Sequence, residues 1–319
     1  MKSRPFVARA ATVAALAVLA IITATAQQNP YVGRWNITAA DGSPGVYWLE
    51  VKEEGGQLSG MFLNRGGSPV KLPTIRVENG ELVWQPAAPA RGGAAPEFRA
   101  RVQGEKLTGS VKTAARTIEL VGARPPKWGP ADANATHKLG TPVHLFDGKS
   151  LDAWDVQDKS KPSGWSVVDG VMTNEPHANN LISKQKFQDF KIHAEYKVEK
   201  ASNSGIYLRG RYELQVLDDH GKPPESHGHM SVYAWHAPLV NASKPVGEWQ
   251  TMEATVVGNK VTVVLNGQKV QDNTTLEAVT GGALDANETE PGPIMIQGDH
   301  EKINYRKVTV TPIMDARKR

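Results

Sequence analysis

Two short runs in the second half of the chain can place proton-transfer and hydroxyl-binding groups on one surface. In Tyr212-Glu213-Leu214-Gln215-Val216-Leu217, Tyr212, Leu214 and Val216 alternate with Glu213 and Gln215, and successive side chains of a strand point to opposite faces. Gly205-Ile206-Tyr207-Leu208-Arg209 alternates in the same way, with Tyr207 and Arg209 opposite Ile206 and Leu208. Only Gly210 and Arg211 stand between the runs, so they are expected to pair as a hairpin and merge their polar faces. The merged face would hold a carboxylate, an amide, a cation and an aromatic ring. A sugar suits such a set, because it offers apolar ring faces together with hydroxyls that both donate and accept. The solvated outside of an antiparallel sheet would show the same alternation, and spacing alone leaves both readings open.

Other chemistry-bearing groups lie nearby. Glu195 alternates with His193 and Lys197 on one face of a further strand, and all nine histidines lie from His137 onward. Acid–base or metal chemistry is therefore expected in the second half. His227 and His229 would share a face in an extended segment. With His220, His236 and the Asp218-Asp219 pair, they are the candidates for a divalent metal such as Zn²⁺, which can act as a Lewis acid. The same segment contains Pro223-Pro224 and also reads as a loop of solvated imidazoles. The pattern requires no other cofactor.

The elements that must position these groups are almost all strands. Lys2, Arg4 and Arg9, an apolar run from Ala10 to Ala24 and the small residues Ala24-Thr25-Ala26 have the form of a signal peptide over residues 1–26. A secreted or periplasmic protein is expected, with no membrane insertion after cleavage. The chain has no cysteine and a formal net charge of +4. Loss of the three leader cations leaves it close to neutral, with no electrostatic case for a nucleic-acid partner. Residues 27–124 read as about seven short strands, with Asn79-Gly80 as a hairpin turn, forming a small antiparallel barrel or sandwich. Residues 125–141, rich in Pro, Gly and Ala, read as a linker. Residues 142–319 carry about a dozen strands, implying two packed antiparallel sheets. The two domains are expected to separate at the linker.

Several motifs of the second domain, in order, resemble the 3-keto-disaccharide hydrolase domain family. They are Leu145-Phe146-Asp147-Gly148-Lys149-Ser150-Leu151 with Trp154, Asp189-Phe190 before the strand bearing Glu195, Asn203-Ser204-Gly205-Ile206 with Arg209, Tyr212 to Asp218, Gly247-Glu248-Trp249-Gln250, Leu265-Asn266-Gly267, and Gly292 to Gln297 with His300. Gln250, the Gly298-Asp299 pair before His300, and Tyr305-Arg306-Lys307 depart from the family pattern. The resemblance runs from Thr141 to Ile313 and leaves the first domain uncovered.

The resemblance implies an all-β, concanavalin-like jelly roll whose concave sheet binds a sugar. It also implies cleavage of glycosides already oxidised to a ketone at carbon 3. That ketone acidifies the proton on carbon 2, so the reaction needs a base, a proton donor for the leaving oxygen and a holder for the enolate charge. On this reading Glu213 is the foremost candidate for base or metal-linked carboxylate, and Glu195 the second. Arg209 is the enolate or hydroxyl clamp, and His300 a further catalytic candidate. Tyr207, Gln215, Gln297, Asn203, Asp218 and Trp249 are the candidates for contacting the saccharide. A conventional glucanase on such a fold would carry a Glu-x-Asp-x-Glu strand, which does not occur here. A non-catalytic lectin-like module fits the same fold and stays open.

Overall fold

The computed structural model describes residues 29–88 and 93–314; the expected signal segment lies outside the described residues. Strands from Gly33–Ala39 to Thr117–Ala123 form one nine-stranded antiparallel sheet. Neighbours in sequence pair except Val70–Lys71 and Thr74–Glu78, which form the two edges of the sheet, and the first strand pairs with the last through Asn36–Ala123 and Ala39–Leu120. The curl encloses Trp35, Leu49, Phe62, Trp84 and Phe98, all buried. Phe98 stacks on Trp84 at 5.0 Å and meets Phe62 edge-on at 4.9 Å, a geometry that aromatic quadrupoles favour. The two strands beyond the expected seven are Gly33–Ala39 and the two-residue Val70–Lys71.

The rest of the chain forms the jelly-roll sandwich. Its larger sheet has eight strands, with Phe190–Val198 between Ile303–Pro312 and Trp249–Val257. Its smaller sheet has five, in the order Trp154–Val156, Leu181–Phe187, Gly292–Ile296, Asn203–Leu208 and Tyr212–Leu217. Ile192, Ala194 and Tyr196 from the first meet Ile206, Leu208, Leu214 and Val216 from the second in one apolar core. Burial of such side chains, at roughly 1.5–3 kcal/mol each, stabilises a chain that has no disulfide. The hairpin turns at Asn79-Gly80, Asp169-Gly170 and Asn266-Gly267 have positive φ at both positions, as the favoured two-residue turns require.

Residues 125–141 are strapped along the sandwich. Gly140 N–H donates to the Pro312 carbonyl at 2.8 Å, Ala133 N–H to Asn273 Oδ1 at 2.9 Å, and Thr262 Oγ1 to Asn134 Oδ1 at 2.8 Å. The first sheet also docks against the second unit. Val46, Trp48 and Leu63 pack with Ala278, Val279 and Ala283 in a shared buried cluster. Trp48 meets Trp235 edge-on at 5.0 Å, and Asn36 Nδ2 donates to Glu288 Oε1 at 2.6 Å. Residues 125–141 carry no strand, and their polar groups find partners on the sandwich edge. The two units share apolar surface that strand patterns do not reveal.

Trp48 is therefore expected to support both units. Trp48→Ala should cost roughly 3–5 kcal/mol in urea unfolding, the usual range for a buried aromatic truncated to alanine. A cost below about 1 kcal/mol would mean that the two units are not held together by this contact.

Candidate active site

The site lies on the face of the small sheet turned away from the core. Tyr207 stands directly opposite Glu213 in the register of Asn203–Leu208 with Tyr212–Leu217, and Gly205 stands opposite Gln215. Tyr207, Glu213 and Gln215 line one pocket of ≈ 240 Å³ with Asn203, Gln297 and His300. Alternation sorted the face correctly, but the face is not solvated. Glu213 and Gln215 are only 4% and 5% exposed. Residues 230–233 cover the sheet edge: Tyr233 N–H donates to the Glu213 carbonyl at 3.1 Å and Met230 N–H to the Gln215 carbonyl at 2.7 Å. The segment around Thr280 covers it from the other side, Thr280 Oγ1 accepting from Glu213 N–H at 2.9 Å.

Burial sets the chemistry of Glu213. It raises the carboxyl pKa to about 8, despite the Tyr207 hydrogen bond and the charge of His300, which pull it back. The hydrogen bonds agree with a neutral acid. Tyr207 Oη lies 2.8 Å from Glu213 Oε2 and 2.9 Å from the Gly281 carbonyl. A phenol has a single proton, and the carbonyl can only accept. With Tyr207 donating to Gly281, the contact to Glu213 is completed when the carboxyl carries its own proton. The Tyr207 hydroxyl is itself held far above its ordinary value, chiefly by burial, so it stays protonated. Gly205 leaves the space this arrangement needs, since a Cβ there would sit 2.5 Å from Glu213 Oε1.

His300 and Asp299 form the second half of the pocket. His300 Nδ1 and Asp299 Oδ1 are 2.8 Å apart. That hydrogen bond raises the imidazole above 6.5, against the effect of burial. Burial would raise Asp299, but the His300 hydrogen bond and charge outweigh it and hold the carboxylate low. Asn180 fixes the loop, its Oδ1 accepting from Gly298 N–H at 2.7 Å and Asp299 N–H at 3.2 Å. Gln297 Oε1 is buried in the pocket wall with no hydrogen-bond partner among the described residues. A buried acceptor left unmatched is costly, and a ligand hydroxyl would satisfy it.

Six of the candidates named from sequence thus meet: Glu213, Tyr207, Gln215, Asn203, Gln297 and His300. The others lie elsewhere. Asn203–Leu208 ends just before Arg209, which takes a left-handed φ of 55° in a three-residue turn with Gly210 and Arg211. Its guanidinium points away from the pocket, donating to the Gly258 carbonyl at 2.5 Å and stacking on Trp128 and Tyr212. It cannot clamp an enolate at Glu213. Glu195 belongs to the larger sheet, paired with Arg306 at 2.5 Å and His193 at 3.2 Å, and Trp249 stacks under the same Arg306. Neither faces the pocket. Asp218 Oδ2 accepts from Ala201 N–H at 2.9 Å and braces a turn.

The histidines are not gathered. Residues 226–231 turn rather than extend, so His227 and His229 part. His229 is buried, with Nε2 on the Tyr196 hydroxyl at 2.6 Å and Nδ1 near the Leu217 backbone, and burial lowers its pKa. His227 reaches Ser68 of the first sheet at 2.7 Å, and His220 the Ser243 carbonyl at 2.6 Å. No group of three or more His, Asp and Glu side chains is placed to hold a metal among the described residues. Sequence reasoning missed Asp299, Tyr233 and Asn180 as parts of the site, and Gly66 and Gly67, which also line it. Only Asp299 had a visible signal, as the carboxylate beside His300.

Comparison with known proteins converges on this half of the chain. Residues 141–311, slightly more than half of the sequence, match the family model of the 3-keto-alpha-glucoside-1,2-lyase-like domain. A 3-keto-disaccharide hydrolase of Bacteroides thetaiotaomicron is 28% identical over 158 residues, covering 38% of this chain and 54% of that protein. The chain therefore spans about half the length of this curated relative. A crystal structure from Parabacteroides distasonis, of a protein provisionally named a glycosyl hydrolase, is 31% identical. The match covers 59% of this chain and 94% of that one with a TM-score of 0.48. A second from the same organism is 18% identical, covering 54% and 94%, with a TM-score of 0.47.

The geometry assigns Arg209 to stability. Arg209→Ala removes a buried charged hydrogen bond and two cation–π contacts, so urea unfolding should show a loss of roughly 2–4 kcal/mol. Ligand affinity at the Glu213 pocket should stay within about twofold, measured by calorimetry. A selective loss of affinity with stability intact would return Arg209 to the site.

Proposed function

Because the chain belongs to the 3-keto-alpha-glucoside-1,2-lyase-like domain family, we propose that the Glu213 pocket cleaves glycosides that carry a ketone at carbon 3. The observation that carries this reading is a buried carboxyl with a pKa near 8 sharing one pocket with a carboxylate-backed imidazole. An acid and a base held close to neutral pH by different environments are what an elimination requires. The leader-like residues 1–26 support placing the reaction outside the cytoplasm.

Neutral His300, oriented by Asp299, removes the proton from carbon 2, and the electron pair moves onto the ketone oxygen as an enolate. The enolate collapses with cleavage of the bond from carbon 1 to the glycosidic oxygen. That oxygen leaves with the electron pair and takes the Glu213 proton. Water then adds to carbon 1, giving its proton to Glu213, and the His300 imidazolium returns a proton to carbon 2. Both residues end as they began, and the products are a 3-keto sugar and the free aglycone. Gln297, Gln215 and Asn203 supply amides for the sugar hydroxyls, and Tyr207 keeps the Glu213 carboxyl in place. Glu213 thus acts first as donor, not as the base or metal-linked carboxylate expected from the sequence.

Turnover of 3-keto-glucosides, with the parent glucosides as controls, tests the reading. Glu213→Gln should lower kcat by about 10²–10⁴-fold, the range for a positioned acid or base, on alkyl 3-keto-glucosides. It should cost far less on aryl ones, whose phenolate leaves without a proton. Equal losses on both would make Glu213 the base instead. Glu195→Gln should leave kcat unchanged. Activity should fall as pH rises through about 8, where Glu213 loses its proton, and fall again on the acid side as His300 is protonated, at a pKa above 6.5. A protein that binds these sugars without turning them over is a lectin-like module.

A further inference from the structure

The family match begins at residue 141, yet part of the pocket wall comes from far earlier in the chain. Gly66 and Gly67, in the loop after the Gln57–Asn64 strand, line the Glu213 pocket. Pro44, in the loop between the Gly33–Ala39 and Val46–Glu54 strands, lines a larger cleft of ≈ 890 Å³ that shares Asp299 with it. The loop is seated, not merely near. Gly282 N–H donates to the Arg65 carbonyl at 2.8 Å, and Ser68 Oγ meets His227 Nε2 at 2.7 Å. At Gly281 the two backbones touch so closely that an added Cβ would lie 2.3 Å from the Gly67 carbonyl oxygen. The Gly281 carbonyl in turn accepts from the Tyr207 hydroxyl that contacts Glu213.

We propose that the first domain is the substrate-selecting wall of this site: Gly66 and Gly67 face the bound sugar and Pro44 faces its leaving group. Residues 230–233 cover the edge of the Tyr212–Leu217 strand, and the first-domain loop adds a separate wall beside Gly281 and Gly282. Without that loop the pocket would be open at this wall, where a longer saccharide chain could pass. The pocket, at ≈ 240 Å³, has the volume of about eight waters at roughly 30 Å³ each. That suits one pyranose ring, and the adjoining cleft then takes the aglycone. The substrate class is a short glycoside bound end-on. This inference rests on the reading of the pocket as a saccharide site.

A single thiol tests it in the full chain. The sequence contains no cysteine, so Gly66→Cys carries a unique reporter. The position is exposed with an ordinary φ, and nothing lies within 4 Å of the added Cβ. Iodoacetamide should alkylate it, and 3-keto-glucose at ten times its Kd should slow that reaction about tenfold by mass action. The alkylated protein should bind 3-keto-glucose at least tenfold more weakly. Gly129→Cys, on an exposed part of the linker with open space around its Cβ, should show neither effect. Hydrogen exchange on the unaltered protein gives the same test without a substitution, with amides of residues 65–68 slowing when the sugar is added. If wild-type protein binds 3-keto-glucose but neither the thiol nor these amides are protected, the wall is refuted and the saccharide reading survives. If wild-type protein binds no 3-keto sugar at all, both fall together.

Discussion

The arrangement depends on keeping one carboxyl dry. Glu213 stands on an edge strand, where its side chain would ordinarily meet water and ionise. Three separate segments prevent this. Residues 230–233 pair with the strand from outside, the segment around Thr280 and Gly281 caps it, and the loop at Gly66 and Gly67 presses on that cap. Desolvation disfavours the charged form of an acid. The fold thereby keeps the proton on this glutamate up to about pH 8. Opposite it, the same pocket does the reverse to Asp299, which the imidazole keeps ionised. The pairing of a neutral acid with a carboxylate-backed base follows from where water is excluded, since both groups begin as common carboxyls.

That constraint also explains why the two units are joined so firmly. Ala278, Val279 and Ala283 lie in the same segment as Thr280 and Gly281, and they are buried against Val46, Trp48 and Leu63. An apolar contact between domains thus fixes the carbonyl on which Tyr207 rests. Packing in the interface and proton affinity in the pocket are linked through a few residues of backbone, and sub-ångström fit is what close-packed interiors transmit.

Much of the local pattern was legible in the sequence. The alternation in Tyr212–Leu217 and the Asn-Gly and Asp-Gly turns are decided within a few residues, and the structure follows them. Arg209 was misread because an arginine in a left-handed turn is unusual, and what holds it there, Trp128 and the Gly258 carbonyl, lies some 50 or more residues away. Glu195 alternates with His193 and Lys197 as expected, but a strand pattern does not say which of two sheets the strand joins. The burial of Glu213 was hidden for the same reason, since every segment that covers it is remote or folded back by turns. The role of the first domain had no sequence signal, because the pocket meets its backbone at glycines that carry no functional group.

The central claim is that Glu213 is a neutral acid at pH 7, and titration of its carboxyl carbon tests this most directly. In protein labelled with ¹³C at the glutamate carboxyl, the resonance missing from Glu213→Gln assigns the residue. The account predicts a shift from the protonated to the ionised form centred near pH 8. A resonance already fully ionised at pH 6, titrating near the ordinary glutamate value of 4.5, would contradict it and leave Glu213 an ordinary carboxylate.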